Sequence, residues 1–160
     1  GIVLIAKNRY ISSLLAKEIS CGSIKKTYIA LLDGIPTEKE GFISAPIARK
    51  DGSIIERYVS ESGKEAITDY SVLAIGDGHA LVEAHPQTGR THQLRVHFSH
   101  IGCPIHGDGL YGADADDCRG QTLHASALSF IRPTTGERIT VTAPPPQEFA
   151  DLCGKYGLKL

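Results

Sequence analysis

"AITDYSVLAIGDGHALVEA", residues 66–84, decides the fold. Two runs of apolar, β-branched and aromatic residues, Ala66 to Ile75 and His79 to Ala84, flank a Gly-Asp-Gly junction. Asp-Gly between two such runs supplies the positive φ angles of a tight hairpin turn. An antiparallel pair is therefore the seed of the sheet. Upstream of it, residues 36–64 are rich in Gly, Pro and charge and read as a long excursion with at most short strands. Lys26 to Leu32 ("KTYIALL") is a further strand, ended by Asp33-Gly34. Ile2 to Ala6 reads as a short buried strand by its β-branching. Asn8 caps a helix to about Ser20, with Ile11, Leu14, Leu15 and Ile19 as its apolar stripe and Gly22 as its stop.

Downstream of the hairpin, Thr91 is placed to cap a helix from His92 to about His100, with Gly102 beyond its end. The stretch "CPIHGDGLYG" is a loop. Leu123 to Ile131 and Arg138 to Thr142 are strands separated by "RPTTGE", and "APPP" at 143–146 introduces a C-terminal helix. The sum is one α+β domain over 1–160, a mostly antiparallel mixed sheet with a few flanking helices.

Composition narrows the class. A hydrophobic content of 41% with 22% charged residues is that of an ordinary globular chain, and the formal net charge of −1 offers no global field for a polyanion. Cys21, Cys103, Cys118 and Cys153 form no C-x-x-C pair, which excludes a zinc ribbon and fits reduced thiols in a cytoplasmic protein. No apolar run approaches the ~20 residues of a membrane span. The chain contains no methionine and begins in the middle of an apolar run, so it is expected to be a fragment of a longer protein.

Residues 85–106, "HPQTGRTHQLRVHFSHIGCPIH", carry the chemistry. They hold Arg90, Arg95 and a series of histidines, with no acidic residue among them. Such a locally cationic stretch in a near-neutral chain is where a polyanion docks. On a helix, Leu94, Phe98 and Ile101 share the core face, while His92, Arg95 and Ser99 share another. Arg95 is thereby held at the edge of a cleft. Arg90 sits on the Gly-containing turn before the helix, where free backbone N–H groups also attract anions. The plainer reading of Arg95 is an ion-pair partner at the edge of the core. A metal reading of His97, His100 and Cys103 lacks a carboxylate or second thiol to complete the ligand set. Polar packing is the default for His79, His97, His100 and His106.

The longer stretch "GRTHQLRVHFSHIGCPIHGDGLYG" (89–112) resembles a signature of the RluA-type RNA pseudouridine synthases. The resemblance extends in order through "KTYIALLDG" (26–34), "ITDYSVL" (67–73) and "LHASALSF" (123–130). It implies a pseudouridine synthase catalytic domain acting on ribosomal or transfer RNA, without cofactor or metal; the cytoplasm is the default location of a chain with no membrane span or signal peptide, and nothing in the sequence suggests a state above monomer. Tyr28 matches the tyrosine that stacks on the target base, and Arg95 the arginine that pairs with the nucleophilic aspartate. Arg90, His92, Gln93 and Leu94 would line the RNA side or brace the cleft. In the family a His-Arg-Leu-Asp-x-x-Thr-Ser-Gly motif precedes an apolar strand ending in Ala-Lys, and "IVLIAK" follows Gly1 here. The aspartate is thus expected just before Gly1, and the 160-residue chain alone is expected to be an inactive part of the domain. Asp33 and Asp108, in Gly-flanked turns, are read as turn residues, and Asp69 as a mid-strand residue. Two rivals are a non-catalytic RNA-binding remnant of the same fold and a metal-dependent hydrolase built on the histidines.

Overall fold

The computed structural model describes residues 1–160. In chain order the elements are α1 (Arg9–Ser20), β1 (Lys25–Asp33), β2 (Glu40–Ser44), β3 (Ile47–Arg49), β4 (Arg57–Val59), β5 (Ile67–Gly76), β6 (His79–Pro86), α2 (Gln93–His100), β7 (Leu123–Ile131), β8 (Arg138–Thr142) and α3 (Gln147–Lys155). Asp77 and Gly78 take φ of 44° and 78°, so the turn between β5 and β6 has the two left-handed residues its sequence asks for. From that hairpin the sheet grows to six antiparallel strands in the order β2-β5-β6-β1-β7-β8, with β3 and β4 as a separate ribbon. The expected α+β architecture is the observed one.

β1 lies in the middle of the sheet and is covered on both faces, which is why its sequence reads as a continuous apolar run. Ala30 and Leu32 join Val82, Ala84, Leu94, Phe98 and Ile105 in the core beneath α2, with Tyr28 packed at its margin. Ile29 and Leu31 alternate to the other face and meet Leu81, Phe149, Leu152 and Cys153 under α3. Each such large side chain taken from water contributes about 1.5–3 kcal/mol. The sheet is therefore a plate between two helices, and the α2 side carries the polar pocket that holds Tyr28 and Arg95.

Several local expectations are corrected. Ile2 to Ala6 forms no strand: its one ladder-like bond is Ile2 N–H to the Ala125 carbonyl at 3.0 Å, and Val3 and Ile5 are each 77% exposed. β-branching favours extended backbone there, and Ile2, Leu4 and Ala6 pack against Leu15, Ile24 and Leu128, but beyond Ile2 the segment makes no ladder bond to β7. α1 begins where expected, with Ile11 N–H donating to Asn8 Oδ1 at 2.9 Å. Ile19, assigned to its apolar stripe, is exposed instead, while Leu15 is buried against Ile24 and Leu128. α2 starts one residue later than predicted, capped by His92 in a left-handed conformation (φ 57°) and not by Thr91. All four cysteines are free.

Candidate active site

The Pro86–Leu94 stretch turns from β6 into α2 around one buried amide. Gln93 Oε1 accepts from the Thr88 hydroxyl at 2.7 Å and from Arg90 N–H at 2.9 Å. Its Nε2 donates to the Ile67 carbonyl at 2.9 Å and to Thr68 Oγ1 at 3.0 Å. Thr68 passes the chain to His97 Nδ1 at 3.0 Å, and His97 Nε2 donates to the Ala45 carbonyl at 3.0 Å. Since a carbonyl only accepts, His97 is fixed as the neutral Nε2–H tautomer, and burial holds its pKa below the ordinary value. Gln93 and His97 thus brace the cleft from inside, and His97 has no free nitrogen for a metal.

His92, Arg95 and Ser99 do share a helix face, and one residue reads that whole face. The Tyr111 hydroxyl is hydrogen-bonded to His92 Nδ1 at 2.8 Å, its carbonyl accepts from the Ser99 hydroxyl at 2.6 Å, and its ring lies beneath the Arg95 guanidinium at 4.9 Å. The same hydroxyl accepts Arg57 N–H at 3.0 Å. His92 is held below its ordinary pKa by burial and by the Arg95 and Arg57 charges, which favours the neutral imidazole, and its Nε2 makes no hydrogen bond within the protein. Its left-handed backbone is strain of the kind that collects at functional sites.

Arg95 has a partner within the chain. Its Nε and Nη2 donate to Asp108 Oδ2 and Oδ1 at 2.7 and 2.6 Å, a forked pair with Arg95 15% and Asp108 0% exposed. Asp108 also accepts the N–H groups of Leu110 and Tyr111 at 3.1 and 3.2 Å. Burial raises its pKa, but the guanidinium and the two amides outweigh that and hold it below the ordinary carboxylate value. Asp108 does make a turn, as expected; its larger role as a buried counter-ion was not anticipated. Gly107 permits the placement: it takes φ of 71°, and a Cβ there would lie 2.3 Å from Cys118 Sγ. Arg95 Nη1 makes no hydrogen bond within the protein and remains available to a further anion.

The pocket itself has a volume of about 290 Å³, near the lower end of ordinary ligand sites (about 300–1,000 Å³). Tyr28, Arg90, His92, Gln93, Leu94 and Arg95 all line it, together with Lys26 and Leu123, and no acidic side chain does. Tyr28 is half-buried, and that burial holds its phenol above the ordinary pKa, in the neutral form. A bulge in the β1–β7 ladder at Thr27/Tyr28 sets it opposite Ala125. Gly1 abuts the same Ala125, where a Cβ would lie 2.6 Å from its amide nitrogen. Next to the pocket, Arg49, Arg57, Lys64 and Arg90 line a second depression of about 510 Å³. The local cationic surface is thus wider than residues 85–106 indicate. Asp33 belongs elsewhere, at the far end of β1, and Asp69 accepts from Gln87 on the sheet.

Comparison with known proteins bears on these residues. A family model described as RNA pseudouridylate synthase matches residues 1–100, which include Tyr28 and the Arg90–Arg95 turn but not Asp108. The chain is 41% identical over 152 residues to an uncharacterised RNA pseudouridine synthase of Bacillus subtilis, YjbO, covering 95% of this chain and 54% of that protein. It is 31% identical over 166 residues to the ribosomal large subunit pseudouridine synthase D of Xanthomonas campestris, covering 95% of this chain and 50% of that one. Among solved structures, human RNA pseudouridylate synthase domain containing 1 superposes with a TM-score of 0.76 at 33% identity, over 88% of this chain and 62% of that one. The chain spans about half the length of the curated relatives it matches.

Proposed function

We propose that this chain, which belongs to the RNA pseudouridylate synthase family and to its RluA type, supplies the base-binding and arginine side of a site that isomerises uridine to pseudouridine in RNA. The observation that carries the reading is the single pocket in which Tyr28, Arg90, His92 and Arg95 meet, beside the depression lined by Arg49, Arg57 and Lys64. A target nucleotide leaves its stack and enters the pocket, with its base against the Tyr28 ring. The flanking phosphates follow the arginines and Lys64. The substrate is ribosomal or transfer RNA, handled by a monomer in the cytoplasm. No helix is long and apolar enough to cross a membrane.

The nucleophile is assigned to an aspartate preceding Gly1. Asp108 does not serve: it is fully buried and its oxygens are taken by Arg95 and two amides. An aspartate five positions before Gly1 is within about 17 Å of extended chain, and Gly1 lies against the partner strand of Tyr28. Arg95 Nη1 would then orient and keep ionised that aspartate, while Asp108 holds the guanidinium from behind. The N1–C1′ bond breaks, the uracil turns, C5 bonds to C1′, and the C5 proton leaves as N1 regains one; atoms and charge balance without a redox partner. The neutral Tyr28 phenol stacks and donates. It can take the C5 proton only while passing its own to a second acceptor.

Tritium release from C5-labelled uridine in RNA tests the reading. A protein that includes the segment before Gly1 should release tritium, and the 160-residue chain alone should not. RNA binding without release by the longer protein would leave the non-catalytic remnant as the correct reading.

A further inference from the structure

The histidines that the pocket does not use converge at the other end of β1. Asp33 Oδ1 lies 3.3 Å from His79 Nε2 and 2.6 Å from His106 Nδ1, and the three atoms lie within 4.8 Å of one another. What the opposite ring nitrogens do is the telling point. His79 Nδ1 is 2.8 Å from the Asp77 carbonyl oxygen, which only accepts, so that nitrogen carries the hydrogen and Nε2 of the neutral ring offers a lone pair. His106 Nε2 is 2.9 Å from Asp117 Oδ1 and its Nδ1 is 2.6 Å from Asp33 Oδ1, so both carboxylates accept from the ring, and the Nδ1 proton is the one a metal ion would displace. Two imidazole nitrogens and a carboxylate oxygen therefore converge around a single exchangeable proton, the one between His106 and Asp33.

We propose that Asp33, His79 and His106 form a binding site for a divalent transition-metal ion, zinc by ligand chemistry. Two imidazoles and one carboxylate with a solvent-facing fourth position suit Zn²⁺ better than Mg²⁺ or Ca²⁺, which prefer six or more oxygens. Metal-bound histidines almost always donate their far N–H to a carboxylate or a backbone carbonyl, and both rings here do so. The supports are themselves fixed. Asp117 also accepts from Lys155 Nζ and, at 2.7 Å, from the Tyr156 hydroxyl. The Tyr156 ring stacks on His79 with centroids 3.8 Å apart. The His106 side chain is 6% exposed and Asp33 32%, which leaves the carboxylate side open for a water. Bonds of about 2.0–2.1 Å in a tetrahedron set neighbouring ligands about 3.3 Å apart, so Asp33 and His106 must separate by roughly 0.7 Å on loading. Asp33, the most exposed of the three, is free to make that move. The site lies outside the pocket of Tyr28 and Arg95, and its ion holds the end of β1 to the loop after α2 and, through Asp117, to α3.

The test is titration of the metal-free protein with Zn²⁺ against a chromophoric chelator, with Co²⁺ absorption as a second readout. The expected result is one ion per chain and an intense visible Co²⁺ band. His79→Ala and His106→Ala should each weaken binding at least tenfold, and Asp117→Asn by about 10–100-fold although it removes no ligand. His100→Ala, at an exposed position, should bind like the parent. Paramagnetic broadening of the His79 and His106 ring signals by Co²⁺ in the unmutated protein covers the case of a variant that does not fold. Binding weaker than 100 μM, binding retained by both histidine variants, or Co²⁺ broadening confined to other histidines overturns the site. In the first of these cases, a proton on His106 shared between Asp33 and Asp117 is the correct account.

Discussion

Arg95→Ala is the most informative single change, because the structure says which of two partners depends more on the other. Removing Arg95 leaves Asp108 ionised, 0% exposed, and held by only the Leu110 and Tyr111 amides. Breaking a buried pair from one side costs about 3–5 kcal/mol, and the two surviving amides place this case near the lower end, about 3. Removing the acid instead, by Asp108→Asn, leaves an arginine that is 15% exposed and can turn to the solvent of the pocket, for about 1–2 kcal/mol. With a urea slope of about 2 kcal/mol/M, the midpoints should fall by about 1.5 M and by less than 1 M respectively. Arg95→Met combined with Asp108→Asn should cost less than Arg95→Ala alone, since no charge is left buried. Equilibrium urea unfolding of the four proteins, followed by circular dichroism, checks all of this. An Arg95→Ala protein within 0.5 M of the parent, or an Asp108→Asn protein less stable than Arg95→Ala, would show that Asp108 is not a buried ion dependent on Arg95.

In the protein that includes the segment before Gly1, Tyr28→Phe should keep RNA binding through the ring, worth about 1–3 kcal/mol, yet lose most tritium release, whereas Tyr28→Leu should lose both; full release by the leucine variant removes Tyr28 from the site. His97, held below its ordinary 6.5, makes a contribution to stability that is complete above that pH and is lost as pH falls through its folded-state value. Its ring signal in NMR should therefore titrate with a midpoint below 6.5, and a midpoint above refutes the buried neutral ring. Gly107→Ala forces a left-handed alanine, at about 1–2 kcal/mol before its clash with Cys118, and should lower the thermal midpoint by several degrees; an unchanged midpoint contradicts the described loop.

What the sequence made legible was local. The Asp77-Gly78 turn, the Asn8 cap and the strand ending at Asp33-Gly34 each have their cause within a few residues, and each formed as read. Helix periodicity also gave the face shared by His92, Arg95 and Ser99. It could not give Tyr111, which binds that face from a loop, nor Asp108 behind Arg95, because partner choice across a loop is a matter of tertiary placement. The Gly-x-Gly spacing around Asp108 was a visible signal of a constrained loop, though not of what the acid faces. The same limit explains residues 2–6: propensity specifies extended backbone, while a strand also needs a ladder of bonds to its neighbour. It explains His106 too, whose carboxylates come from β1 and from the loop before β7.

The position of β1 between β6 and β7 has a consequence for how the chain acquires its shape. The β5–β6 hairpin closes through a short turn and can form early, as local contacts do. β1 leaves the ribosome long before either of its neighbours and has nothing to pair with until Leu81 and then Ala125 have been made. The apolar run around Leu31 stays uncovered for that interval, which is when a nascent chain is most open to aggregation and to chaperones. Tyr28 is carried by this waiting strand and Arg95 by a helix that needs the finished sheet beneath it. The pocket is thus among the last features to mature, and a block in synthesis or folding should be felt there before it is felt in the hairpin.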